Sequence, residues 1–494
     1  MSLFSKDLRL AAPIAYTALA LVIAVLVDGC GAGYRPVITP INPSGPAPQP
    51  NSLAVVVSVP APGAPGVASI IDYSGDTIMA TSPVGVAPIS FTLDETGSTG
   101  YTYNSDGTVT NFPASTRLQQ KNITVTTLPS TAVPVNMFSP SAGLWMTDLN
   151  QNSPTQGLIN LFTGSPETFK LSIPVAPTPI MVIGPGLIGQ RNYAITQGAV
   201  ASGVTCNTSP TTAPFGEADG IEITNNTVSS HIPLGKCPVY ALPSPDGKRL
   251  FVLNRGSDTI TVINSQNNTL NACTPFVDQT GRTVTCHPTL PLSTTAGLTG
   301  ANVPALAGPV YAEYINATNQ LVVANYDGNT VNVIDVSIDE FGNDSPTFGS
   351  TFTIPVGANP AGVTALYDGT RAYTANQTDQ TVTVVNLSSH TVEKTVPVTG
   401  HPRTVASTQN SLYGKVYVAS PDTPYLTILR TDQDIVDTTI LVQGNIMDVR
   451  VTTQNAVSGN PMNTSRKPGY GQPCYLPGAA AAASYATCTT LPTP

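Results

Sequence analysis

The stretch "VVANYDGNTVNVIDV", residues 322–336, sets two short runs rich in β-branched residues on either side of Tyr326-Asp327-Gly328-Asn329. Asp, Gly and Asn accept the backbone angles of tight turns, so the segment reads as a β-hairpin with a four-residue loop. In the second arm, Val331, Val333 and Ile334 leave neither face wholly polar. Such a strand suits a sheet stacked between neighbouring sheets.

The same pattern recurs along the chain. "FVLNRGSDTITVIN", residues 251–264, places Asn254, Thr259 and Asn264 at the spacing of Asn325, Thr330 and Asp335. "YTANQTDQTVTVVN", residues 373–386, does so with Asn376, Thr381 and Asn386. A degenerate copy, "VYVASPDTPYLTIL", has Ser420 and Tyr425 in the first two slots. The threonine hydroxyls suit exposed strand starts. A second marker, a strand end followed by a small turn and Pro, appears as "IPLGKCP" ending at Pro238, "IPVGANP" at Pro360 and "VPVTGHP" at Pro402. Looser forms end at Pro88, Pro134 and Pro179, and "ILVQGNI" lacks the Pro. Intervals are mostly 42 to 59 residues, the period of a propeller blade; an insertion holding Cys273 and Cys286 lengthens the step from Pro238 to Pro309.

"RLFVLNRGSDTITVIN", "LVVANYDGNTVNVIDV" and "IPVGANPAGV" together resemble the YVTN-type β-propeller repeat of surface-layer and other exported bacterial and archaeal proteins. The likeness is strong over residues 238–264 and 309–429, moderate over 66–112, and poor over 122–225. It implies an all-β chain of four-stranded antiparallel blades around a central channel. Residues 447–453 offer one last strand, and 53–59, 67–72 and 77–84 offer three near the start. A blade built from both ends would close the ring and leave no sheet edge unpaired there. Counting it gives eight blades in a single propeller, with seven as the alternative because residues 122–225 carry so weak a pattern.

Composition narrows the function. Charged residues are 10%, and 20 Lys plus Arg against 29 Asp plus Glu give a net charge of −9. Nucleic acid is excluded as a partner, since phosphate binding needs a basic face. Lys6 and Arg9, the apolar run 10–27 and Gly29-Cys30 resemble a bacterial lipoprotein signal, with Cys30 as the lipid-bearing residue. An uncleaved membrane anchor and ordinary secretion are the alternatives, and all three export the chain. The domain organisation is then 1–30 signal or lipoprotein-type segment, 31–52 Pro-rich linker, 53–455 propeller and 456–494 irregular tail. Six further cysteines, Cys206, Cys237, Cys273, Cys286, Cys474 and Cys488, are disulfide candidates. Sequential pairing is the simplest of the 15 connectivities. A metal is not expected, because there is no C-x-x-C and the chain holds four His. No cofactor is expected either.

Propellers bind at the channel mouth, where loops enter each innermost strand. The residues before each marker there are Ala87, Val133, Thr178, Cys237, Gly308, Asn359, His401 and Asn445. Asn359 and His401 are candidate ligand contacts, with Glu313, Arg403, Asp448 and Arg450 adding charge from the inner strands. A hydrolase or lyase needs paired acid and base groups, whereas this ring supplies one His and no carboxylate. Solvated lining, or an ion pair such as Arg403 with Asp448, is the ordinary reading of the charges. The Tyr326–Asn329 turn only weakly resembles an oxygen-rich calcium loop, because no acidic ligand follows at the required spacing. Trp145 reads as core. No catalytic residue is assigned. The expectation is a non-enzymatic, membrane-tethered scaffold of the cell envelope that contacts protein or glycan. A lactonase-like hydrolase or lyase is the alternative, and a quinone- or metal-dependent redox subunit ranks third.

Overall fold

The computed structural model describes residues 52–453, except 74, 95–96, 115–123, 129–130, 140–142, 165–166, 185–189, 200–205, 207–208, 292–305, 409–410 and 413. Eight antiparallel sheets succeed one another along the chain and form a ring. Blades 1 to 7 span residues 88–127, 134–175, 179–236, 238–290, 309–355, 360–397 and 404–441. Blade 8 is closed by both ends of the described chain: the strand Asn445–Thr453 is innermost and pairs with Ser52–Val59, followed by Pro65–Asp72 and Ile78–Val86. The count is therefore eight rather than seven. The weak region 122–225 supplies most of blades 2 and 3. Among the described residues the only helical element is a 3-10 turn at Pro210–Thr212, and no helix is long and apolar enough to cross a membrane.

Burial grades outward within each blade. In blade 6 the innermost strand Pro360–Ala365 is buried throughout, while the outermost, Thr391–Pro397, buries only Val396. The two middle strands bury both faces against neighbouring blades, which is why their sequences read as apolar on either side. Pro88, Pro134, Pro179, Pro238, Pro309 and Pro360 each open an innermost strand beside a register shift, as at Pro238/Tyr240 and Pro360/Gly362, whereas Pro402 stands two residues ahead of its strand, Thr404–Ser407. Proline has no N–H to give the ladder, so an irregular strand start is where it fits. Trp145 is buried in the Leu144–Asp148 strand of blade 2.

The repeated asparagine has a role different from the one its threonine neighbour suggested. It ends the second strand of its blade and is buried, and its side-chain amide forks across the following turn. Asn254 donates to Thr259 Oγ1 at 3.2 Å and Thr261 Oγ1 at 2.9 Å. Asn376 donates likewise to Thr381 and Thr383, and Asn104 to Thr108 and Thr110. The threonines thus accept a buried amide and are not simply solvated strand starts. The glycine of the other marker lies against this amide from the preceding blade. A Cβ on Gly235 would stand 2.7 Å from Asn254, and one on Gly357 2.7 Å from Asn376. Blade 3 has Thr196 in the asparagine slot, opposite Pro179, and Ala176 stands where the glycine would be.

Blade 4 departs from the pattern. Its outer strand is split: Thr269–Leu270 pairs with one end of the third strand and Thr289–Leu290 with the other. The segment between them is closed by the Cys273–Cys286 disulfide and contains a small hairpin. A loop from blade 5 clasps it. The fully buried Asp344 carboxylate accepts from Arg249 at 3.3 Å, Asn271 at 2.8 Å, and both the backbone N–H and Nδ1 of His287. Arg249 is only 3% exposed at its side chain. Asp344→Ala would strand this guanidinium in the interior, and the expected loss is about 3–5 kcal/mol in urea unfolding. Asp344→Asn, which keeps the shape, should cost less.

Candidate functional site

The face that receives the innermost strands is built from two kinds of loop: the links between blades and the turns joining second to third strands. A sharp backbone bend shapes the links. Ala87, Thr178, Cys237, Gly308 and Asn359, each just before a marker proline, all take positive φ between 40° and 65°. The turns then pin the links. Asp106 accepts the Val86 N–H, Ser257 the Lys236 N–H, Asp379 the Ala358 N–H and Asp422 the His401 N–H, at 2.6 to 3.2 Å. In each case an acidic or hydroxyl side chain of one blade's turn holds the chain leaving the blade before it.

The candidate contacts sit within this lattice. Asn359 receives the Thr378 hydroxyl at 2.7 Å and donates to the Tyr326 carbonyl and, through its N–H, to Asn329 Oδ1. His401 Nδ1 lies 2.6 Å from Asp422 Oδ2, and its other ring nitrogen 3.0 Å from Gln380 Nε2. The ring is therefore not without a carboxylate: Asp422 lies 21 residues on in the chain and is brought in by the fold. On the inner strands, the buried Glu313 accepts the Ala365 N–H at 3.1 Å from the next blade. Arg403 donates to the Met447 carbonyl at 2.8 Å, and Asp448 pairs with Arg450 at 3.3 Å. The Arg450 guanidinium stands 6.0 Å from the Phe91 ring centre in blade 1. Asp327, in the turn with a weak calcium likeness, is held by both Nε and Nη2 of the buried Arg255. Apart from the Asp448–Arg450 pair, which lies within the one strand Asn445–Thr453, each of these polar contacts joins one blade, or one strand, to another.

The six cysteine candidates divide. Cys206–Cys237 and Cys273–Cys286 are disulfides, and Cys30, Cys474 and Cys488 lie outside the described residues. Disulfides accord with an oxidising compartment.

A further cluster of titratable groups lies on the outer hairpin of blade 3. Strands Phe215–Glu222 and Thr227–Lys236 pair so that His231 lies directly across from Asp219, with Glu217 two residues along on the same side. His231 Nδ1 is 2.6 Å from Glu217 Oε1 and 2.7 Å from Asp219 Oδ1. Burial, reinforced by Glu217, pushes the Asp219 carboxyl up to about 7. Hydrogen bonds to Glu217 and Asp219 raise His231 above its ordinary value.

No protein-family model matches the chain, and no curated protein matches it in sequence. Solved structures do resemble it. The structure of apo AztD from Citrobacter koseri aligns with TM-score 0.52 over 81% of this chain and 97% of that one, at 13% identity. Dihydro-heme d1 dehydrogenase NirN in complex with DHE aligns with TM-score 0.50 over 83% and 77%, at 14% identity. At these identities the likeness concerns the fold alone, a β-propeller.

The Glu217–Asp219–His231 trio gives stability a direction with pH. Both raised groups hold a proton more tightly folded than unfolded. Their contribution is therefore full at acid pH; that of Asp219 fades as pH rises through about 7, and that of His231 fades above its ordinary value. Denaturant unfolding at about pH 5 and about pH 8 should show part of the stability lost at the higher pH. In Asp219→Asn that part of the difference should vanish.

Proposed function

We propose that the chain is an exported, membrane-tethered β-propeller of the YVTN type that serves as a non-enzymatic scaffold, presenting its loop face to a protein or glycan. The carrying observation is the use made of the charged groups at the channel mouth. His401, Asp422, Asn359, Glu313 and Arg403 each bond to the backbone or side chain of a neighbouring blade. A face built in this way is rigid and pre-shaped, and a binding surface gains from that because little ordering remains to be done on contact. The two disulfides and the low charge suit an extracellular setting. Cys30 is the proposed lipid attachment, with residues 31–52 as the spacer.

One observation favours the second reading, a lactonase-like hydrolase or lyase. The carboxylate of Asp422 against His401 Nδ1 is the arrangement that orients an imidazole as a general base. The two readings part in one experiment. The full chain is titrated against a panel of purified cell-envelope glycans and assayed in parallel on a panel of lactones. The scaffold reading expects saturable glycan binding with no turnover. Lactone turnover abolished by His401→Ala would establish the alternative. Mass spectrometry of the mature N-terminus tests the tether, with an acylated Cys30 expected and an unmodified Met1 contradicting it.

A further inference from the structure

We propose that Glu217, Asp219 and His231 bind one divalent first-row transition-metal ion on the outer hairpin of blade 3. Its three ligands are none of the loop-face contacts described above, so the site stands whether or not that face binds a glycan.

Strand geometry brings the three together. Alternation along Phe215–Glu222 puts Glu217 and Asp219 on one side, and cross-strand register sets His231 opposite Asp219. The other side carries Ala218 and Ile232 into the core, so the hairpin's orientation is fixed by packing. One ligand atom from each residue lies within 4.8 Å of the other two. The donor set, an imidazole nitrogen and two carboxylate oxygens, is that of zinc, cobalt or nickel sites and not of the all-oxygen sites of calcium and magnesium.

The charge balance points the same way. The Asp219 side chain has no exposed surface, yet it sits beside a second carboxylate. Among the described residues neither Glu217 nor Asp219 pairs with a lysine or arginine; His231 is the one cationic partner of both. A single imidazolium gives at most one positive charge to two carboxylates. A divalent ion would balance both. Asp219 is also oriented from behind, since its Oδ2 accepts the Ala176 N–H of the link from blade 2 at 2.6 Å. A backbone donor to a ligating carboxylate is the usual outer support of a metal site. His231 is 65% exposed at its side chain, so the ion has a path in and a position left for water. Ligands at about 2.0–2.2 Å from a metal stand somewhat further apart than these three do, and His231, on an outermost strand, has room to swing back.

The test is calorimetric titration of the full chain with Zn(II), together with the visible spectrum of the Co(II)-loaded protein. One equivalent of Zn(II) should bind, Co(II) should show d–d bands, and Zn(II) should raise the melting temperature. His231→Gln changes an exposed side chain and should fold normally; with it, affinity should fall by about 10-fold or more and the Zn(II)-dependent rise in melting temperature should disappear. Asp219→Asn should have the same effect where its own melting temperature shows it folded. Absence of Zn(II) binding, or binding of unchanged affinity in His231→Gln, would overturn the proposal.

Discussion

Three junctions of the ring depend on how the chain leaving one blade meets the buried amide at the heart of the next. An asparagine at the end of a second strand spreads its NH2 over two acceptors across the turn and becomes a fixed, flat obstacle. Only a residue without a side chain can lie against it at van der Waals distance. Gly85, Gly235 and Gly357 occupy that place against Asn104, Asn254 and Asn376. The two sequence markers are therefore two halves of one contact, contributed by successive blades. Packing of this kind tolerates little change in volume, because interiors are already close-packed.

The electrostatics follow from the same economy of parts. With charged residues at 10%, the chain has few carboxylates to place, and many of those described on the loop face hold a backbone N–H or an arginine across a blade boundary. A carboxylate accepting from a backbone donor gives more than an exposed ion pair, whose worth is about 0–1 kcal/mol. Blade 3 follows the same rule with one carboxylate: Asp219 accepts the Ala176 N–H from the link leaving blade 2, while its other oxygen meets His231.

Much of the architecture was legible in the chain because it is written in local patterns. Recurring apolar runs, turn residues and proline spacing gave the blades, and the strand-like segments at both ends gave the closing blade with its partners Ser52–Val59 and Asn445–Thr453. Blades 2 and 3 were hard to see for a definite reason: the asparagine slot holds Asp148 in one and Thr196 in the other. The site was less legible. Asp422 reads as an ordinary turn residue, and only the pairing of the first two strands of blade 7 brings its turn against His401 in the link entering that blade. The Asp or Ser two or three residues after each second-strand end, Asp106, Ser257, Asp379 and Asp422, was the available signal for the pinned loops. Glu217 and Asp219 alternate as any solvated outer strand does, and His231 joins them only once the hairpin register is known.

The account rests most heavily on the glycine–asparagine fit between blades, and a double-mutant cycle tests it directly. Unfolding free energies would be measured for the native chain, Gly357→Ala, Asn376→Ala and the pair. If the added methyl clashes with that amide, removing the amide makes room for it, and the two changes couple by about 1 kcal/mol or more. Strict additivity, with Gly357→Ala costing the same whether or not Asn376 is present, would contradict it.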